Sequence, residues 1–251
     1  MQYNIKEKVQ KLINLFGYKI TKLSHPDPII DKDEKFIRIY NICKPYTLTS
    51  KEKMYALYKA VQYAINANIS GDFVECGVWE GGSTMLIAYT LLDMEVKDRK
   101  IVLYDTFEGM TKPTEIDYDL NNMNQAGNRW KIDQKDDHND WCYASIESVK
   151  KNMSGTKYPE NNLIYVKGKV EETIPNTMSS RISLLRLDTD WYESSKHELV
   201  HLFPLISKNG VLIIDDYGAW AGQKKAIDEY FSNKPILLDR IDDGGRIGIK
   251  I

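Results

Sequence analysis

From residue 72 onward the chain alternates short apolar segments with amphipathic ones, and this repeat decides its fold class. DFVECGVW, KIVLYDTFEG, LIYVKG, ISLLRLD and NGVLIIDDYG each read as a β-strand that stops at an acid or a glycine. GGSTMLIAYTLLDM, SIESVKKNMS, VEETIP, SSKHELVHLFPLIS and GQKKAIDEYF read as the helices that follow them. Apolar, β-branched strands alternating with helices predict an α/β fold: a mostly parallel sheet with helices on both faces. PILLDRI and GRIGIKI, joined by Asp242-Asp243-Gly244-Gly245, predict a closing hairpin and an antiparallel strand at the sheet edge.

Upstream, residues 4–16 have the spacing of an amphipathic helix. Residues 24–50 carry three prolines and mixed charges and read as a connector and lid-like segment. Thr49 or Ser50 then opens a helix with Met54, Leu57, Val61 and Ile65 on its core face. The expected organisation is an N-terminal helix and connector over residues 1–50, followed by one α/β domain over 51–251. Residues 111–143 form a polar stretch too long for an ordinary connection, which suggests a functional or mobile loop.

With 34 basic against 36 acidic residues the net charge is −2, which does not point to nucleic acid or an anionic membrane. No apolar run reaches the roughly 20 residues that span a bilayer. The N-terminus lacks a continuous apolar signal core, so secretion is not expected. Cys43, Cys76 and Cys142 are odd in number and far apart, which predicts a reducing cytoplasm and neither a disulfide framework nor a zinc site.

In an open parallel sheet ligands bind beyond the carboxyl ends of the strands. In chain order those ends deliver Glu75 and Gly77 with the Gly81-Gly82 turn, then Asp105-Thr106-Phe107, Gly168, Asp188 with Asp190, and Asp215-Asp216. The glycine turn is either a cofactor loop, with free N–H groups at a helix start, or only a tight strand-to-helix connection. Asp105 follows Gly82 by 23 positions, where an acid binds ribose hydroxyls in nucleotide-type cofactors; it could also cap a turn.

Asp188 and Asp215 stand 27 positions apart, the length of a strand, a crossover helix and a strand. Neighbouring parallel strands would therefore bring Asp188, Asp215 and Asp216 together, and clustered carboxylates repel unless a cation or protons intervene. Oxygen ligands of this kind suit Mg²⁺ or another hard divalent cation. Asp190 is expected to support this group or to cap the next helix.

GDFVECGVWEGGST, IVLYDTFEGM, KGKVEETIP, LLRLDTDWYESS and GVLIIDDYG, in this order, resemble the macrocin O-methyltransferase family across residues 70–232. The resemblance implies a Rossmann-like class I methyltransferase fold, with residues 51–251 as the S-adenosylmethionine-dependent domain. It implies an enzyme that methylates sugar hydroxyls with the help of a metal, and a homo-oligomer. Glu75, Gly77, Trp79 and Ser83 would contact the methionine part of S-adenosylmethionine. Asp105 would hold the ribose, Thr106 and Phe107 would lie beside the adenosine, and Gly168 near the adenine. Asp188 would touch the cofactor as well as join Asp215 and Asp216 as metal ligand.

A sugar hydroxyl is a poor nucleophile at neutral pH, so a base is needed: Asp188 is the first candidate and His138 the second. His197 and His201 are expected to be structural. Trp130, Trp141, Trp191, Tyr192, Tyr217 and Trp220 could offer flat faces to a sugar or pack among themselves. The alternatives to methyl transfer are a glycosyltransferase that uses Asp188-Thr189-Asp190 as a metal-binding DxD, and a non-catalytic cofactor-binding scaffold.

Overall fold

The computed structural model of the protein describes residues 27–251, and one compact unit runs from Glu34 to Ile251. The helix expected over 4–16 lies outside the described residues. Glu34–Cys43 (α1) and Lys51–Asn66 (α2) lead into the sheet. The alternating part follows as Asp72–Cys76 (β1), Gly82–Asp93 (α3), Ile101–Asp105 (β2), Ala126–Asp133 (α4), Ile146–Ser154 (α5), Leu163–Lys167 (β3) and Val170–Thr173 (α6). It ends with Ile182–Leu187 (β4), Tyr192–His201 (α7), Ile206–Ile214 (β5), Ala221–Phe231 (α8), Leu238–Arg240 (β6) and Arg246–Ile249 (β7).

The seven strands lie in the order β3-β2-β1-β4-β5-β7-β6. β1 pairs in parallel with both β2 and β4, while β7 runs antiparallel to both β5 and β6. The expected class I architecture with an antiparallel final strand is therefore present, with that strand inserted between β5 and β6. Successive connections run outward from β1 toward β3 on one side and from β4 toward β5 on the other. The order reverses between β1 and β4, and a crevice opens beyond the carboxyl ends of two strands that part this way.

Alternation along the strands fills both faces. Val74, Cys76, Leu185, Leu187, Leu212 and Ile214 point to one face and pack with Leu199 of α7 and Ile227 of α8. The opposite face is covered in part by α2, which packs against β4 and β5. Ser50 caps α2 by accepting a hydrogen bond from the Lys53 N–H at 3.1 Å, and Ser145 caps α5 in the same way from Ser148.

Within residues 24–50, expected to be a connector and lid-like segment, residues 34–46 are helical. α1 buries Phe36, Ile39 and Cys43, and Arg38 reaches Asp93 at the end of α3 at 2.7 Å. The prolines that suggested a connector stand outside this helix, Pro45 opening the single 3₁₀ turn that ends it. The long stretch 111–143 is also folded. It contains α4, and buried Asp117 ties it down by accepting from the Thr114 and Tyr192 N–H groups at 2.7 and 2.9 Å.

Candidate active site

The crevice beyond β1 and β4 holds two adjoining cavities of about 440 and 880 Å³ that share Gly77, Asp105, Gly109, Met110 and Asp188. The smaller half is bounded by Tyr104, Thr106, Gly168 and Val170, and the larger by Trp79, Ser83 and the carboxylates.

Asp105 organises the wall between them. Its Oδ2 accepts from the Val78 and Trp79 N–H groups at 2.7 and 3.2 Å, and its Oδ1 from the Phe107 N–H at 2.7 Å. Trp79 and Phe107 adopt left-handed backbone (φ 46° and 53°), which turns their N–H groups toward the carboxylate. Burial raises the Asp105 carboxyl, and the amide bonds oppose that rise. Phe107 itself is buried and lines neither cavity; its N–H fixes Asp105.

Glu75 also lies beneath the cleft and does not line it. It is fully buried, accepting from the Ser83 and Thr84 hydroxyls at 2.5 and 2.8 Å and from the Arg186 guanidinium. It therefore holds the start of α3 and reaches the cleft only through Ser83. Gly77, Trp79, Ser83, Thr106 and Gly168, by contrast, stand at the cavity walls.

The β4–β5 register carries Arg186 beside Ile213, so the residues that follow place Asp188 next to Asp215. Oxygens of Asp188, Asp215 and Asp216 lie within 4.8 Å of one another, and the predicted cluster forms. Two cations already touch it. Arg186, 1% exposed in its side chain, spans Glu75, Asp188 (2.9 Å) and Asp215 (2.6 Å), and also donates to the Thr49 hydroxyl at 2.9 Å. Lys53 Nζ lies 2.9 Å from Asp215 Oδ2 and 3.7 Å from Asp216 Oδ1.

Burial would raise the Asp215 carboxyl, but Arg186 and Lys53 outweigh it and hold the group below its ordinary value. Burial pushes Asp188 well above its ordinary value; Arg186 opposes this and the neighbouring aspartates add to it. Burial and Asp216 together raise Asp190 in the same direction.

Asp190 is not a cap. Trp191 precedes α7 without a side-chain cap, and Asp190, at φ 68°, lines the larger cavity beside Asp216. Its Oδ1 is buried with no hydrogen-bond partner among the described residues. Glu75, Asp188, Asp190, Asp215 and Asp216 together bring five carboxylates against the two cations. An all-oxygen donor set with excess negative charge and an unsatisfied buried oxygen fits a hard divalent cation.

His138 is not brought to this group. It lines a neighbouring cavity with Lys112 and Lys167, pairs with Asp137 and Asp140 at 2.7 and 3.0 Å, and packs at a tilt against the Tyr143 ring. His197 bonds the Ile174 carbonyl at 3.1 Å, as a structural histidine would. Trp141, Trp191 and Trp220 pack edge to face or tilted at 5.0–5.7 Å, and the Trp191 indole N–H donates to the Thr111 carbonyl at 2.9 Å. For this trio the packing reading describes the contacts.

Sequence reasoning missed Lys53 and Arg186. A lone arginine within LLRLD carried a signal, since a charge inside a fully buried strand needs a partner. Lys53 carried none, because KEKMYAL looks like the solvated face of any amphipathic helix.

Residues 41–245 match the family described as macrocin-O-methyltransferase (TylF). The chain is 30% identical over 200 residues to the demethyldecarbamoylnovobiocin O-methyltransferase of Streptomyces niveus, covering 78% of this chain and 73% of that one. It is 28% identical over 172 residues to the 8-demethyl-8-(2,3-dimethoxy-alpha-L-rhamnosyl)-tetracenomycin-C 4'-O-methyltransferase of Streptomyces olivaceus, covering 68% and 62%. The solved structure of the O-methyltransferase NovP superposes with a TM-score of 0.71 at 28% identity, covering 82% of each chain. These matches set aside the glycosyltransferase and scaffold alternatives: the chain belongs to the macrocin-O-methyltransferase family and is an O-methyltransferase.

Proposed function

We propose that the protein transfers the methyl group of S-adenosylmethionine to a hydroxyl of a sugar or glycoconjugate, with Mg²⁺ or another hard divalent cation held by Asp188, Asp215 and Asp216. The observation that carries this reading is that the glycine turn with Asp105 and the three carboxylates open onto one divided cleft. The rhamnosyl group in the name of the S. olivaceus relative supports a sugar acceptor.

In this reading Gly77, Trp79 and Ser83 receive the methionine end of the donor, and Asp105, fixed by three amides, receives the ribose. Thr106 and Gly168 border the adenosine end. Glu75 and Phe107 serve from behind, the first by holding Ser83 and the second by holding Asp105. A divalent cation at the aspartates would act as a Lewis acid that lowers the pKa of the acceptor hydroxyl.

Asp188 takes the hydroxyl proton. Arg186 holds its Oδ2 at 2.9 Å, which fixes the carboxylate for that transfer. The hydroxyl oxygen bonds the methyl carbon as the carbon–sulfur bond breaks, leaving a methyl ether and S-adenosylhomocysteine. The base role stays with Asp188 because His138 is paired with Asp137 and Asp140 and does not line the cavity that holds the carboxylates. The reading includes a cytoplasmic homo-oligomer, and the three free cysteines are in keeping with a reducing compartment.

Calorimetry of the purified protein with S-adenosylmethionine, and separately with UDP-sugars, tests the donor. Binding of S-adenosylmethionine is expected; binding of UDP-sugars alone would overturn the reading.

A further inference from the structure

We propose that Lys53 is a built-in counter-ion of the carboxylate cluster, holding the place of a divalent cation on Asp215 and Asp216 and leaving them when one binds. The inference rests on the metal part of the proposed function and concerns what this chain does to its own metal affinity.

Lys53 lies in the first turn of α2, whose start is fastened twice. Ser50 accepts from the Lys53 N–H, and its hydroxyl donates to Asp242 Oδ2 at 2.6 Å. The side chain then runs past the Asp242–Gly245 turn. A Cβ on Gly244 would come within 3.2 Å of Lys53 Nζ, and one on Gly245 within 3.2 Å of its Cε and Cγ. The two turn glycines thus leave the track along which the lysine reaches the acids.

The ammonium arrives on the oxygen that Asp215 has left to offer. Asp215 Oδ1 is taken by Arg186 at 2.6 Å, and Lys53 occupies Oδ2. The ammonium lies 2.9 Å from Asp215 Oδ2 and 3.7 Å from Asp216 Oδ1, a cation set between two carboxylates. An ammonium and a divalent cation on the same carboxylates repel strongly at a separation of a few ångströms. One of the two protein cations must therefore yield.

Arg186 is poorly placed to do so, being sealed in with partners on Glu75, Asp188, Asp215 and Thr49. Lys53 is the mobile one, a point charge on a flexible four-carbon stem whose head lines the larger cavity beside Asp188 and Asp190. In metal-free protein Lys53 sits on Asp215 and Asp216; on loading, the ammonium swings away from them into the larger cavity.

The test is calorimetric titration of chelator-stripped protein with Mn²⁺, comparing the wild-type chain with Lys53→Met. Removing the competing charge is expected to tighten Mn²⁺ binding at least tenfold; equal or weaker binding by the variant overturns the inference. If neither chain takes up Mn²⁺, the metal reading itself fails, which is a different result from equal affinities. A second measurement needs no variant: acetylation of Lys53 in the wild-type chain, read by mass spectrometry with and without Mn²⁺. Faster labelling with Mn²⁺ is expected, and unchanged or slower labelling overturns the inference.

Discussion

A Cβ on Gly77 would lie 2.1 Å from the carbonyl oxygen of Asp188. The glycine that ends β1 is thus demanded by the backbone that carries the first metal-ligand candidate. Gly77 also has φ 83°, where any side chain is strained. Two sequence motifs that look independent, the glycine turn and the aspartate pair, are halves of one packed contact across the switch point. Gly77→Ala is expected to lower stability by about 2 kcal/mol or more and to weaken S-adenosylmethionine and Mn²⁺ binding together. Denaturant unfolding and calorimetry check this, and loss of donor binding with Mn²⁺ binding intact would separate the two halves.

Arg186 is the electrostatic centre of the same contact. Replacing it with Met leaves Glu75, Asp188 and Asp215 facing one another with only Lys53 in reach of Asp215. Stripping one partner from a buried ionic group costs on the order of 3–5 kcal/mol. Urea unfolding at neutral pH without metal should show a loss of that size, and saturating Mg²⁺ should return part of it. A variant as stable as the wild type would contradict the role given to Arg186.

Glu198 supplies a pH signature. It lies fully buried on α7, accepts from the Thr189 hydroxyl at 3.0 Å, and has an Oε2 without a partner among the described residues. Burial raises its carboxyl well above the ordinary 4.5. The folded protein therefore holds a proton there that the unfolded chain releases, so stability contributed by this group is complete below pH 4.5 and declines as pH rises toward the folded value. Glu198→Gln keeps the amide-sized shape without the ionisation. Its melting temperature should match the wild type near pH 4.5 and exceed it near pH 8. Parallel melting curves across that range would show that Glu198 is not the group that titrates.

The sheet was legible because each of its first five strands is an apolar run ending at an acid or glycine, and that pattern follows from period-two burial and the switch-point crevice. The cluster of Asp188, Asp215 and Asp216 was legible for the same reason, since parallel register turns a 27-residue interval into neighbouring strand ends. What was hidden depended on contacts across elements far apart in sequence. α1 was masked by flanking prolines, although Phe36, Ile39 and Cys43 have helical spacing. Asp190 looked like a cap because it precedes a helix, yet a left-handed backbone turns it into the cleft. Glu75 looked like a cofactor contact because it borders the glycine turn, but strand alternation sends it inward to meet Arg186. No local pattern distinguishes Lys53 from Lys51 at the start of α2.

The most direct measurement of the central claim is transfer of a radiolabelled methyl from S-adenosylmethionine to a panel of free and glycoside-linked sugars, run with EDTA and after Mg²⁺ is restored. A labelled methyl ether on a sugar hydroxyl is expected, with product formation abolished by EDTA and recovered with Mg²⁺, and turnover of Asp188→Asn reduced by about two to four orders of magnitude, as when a positioned base is removed. Full turnover in EDTA, or near-normal turnover by Asp188→Asn, would contradict the claim.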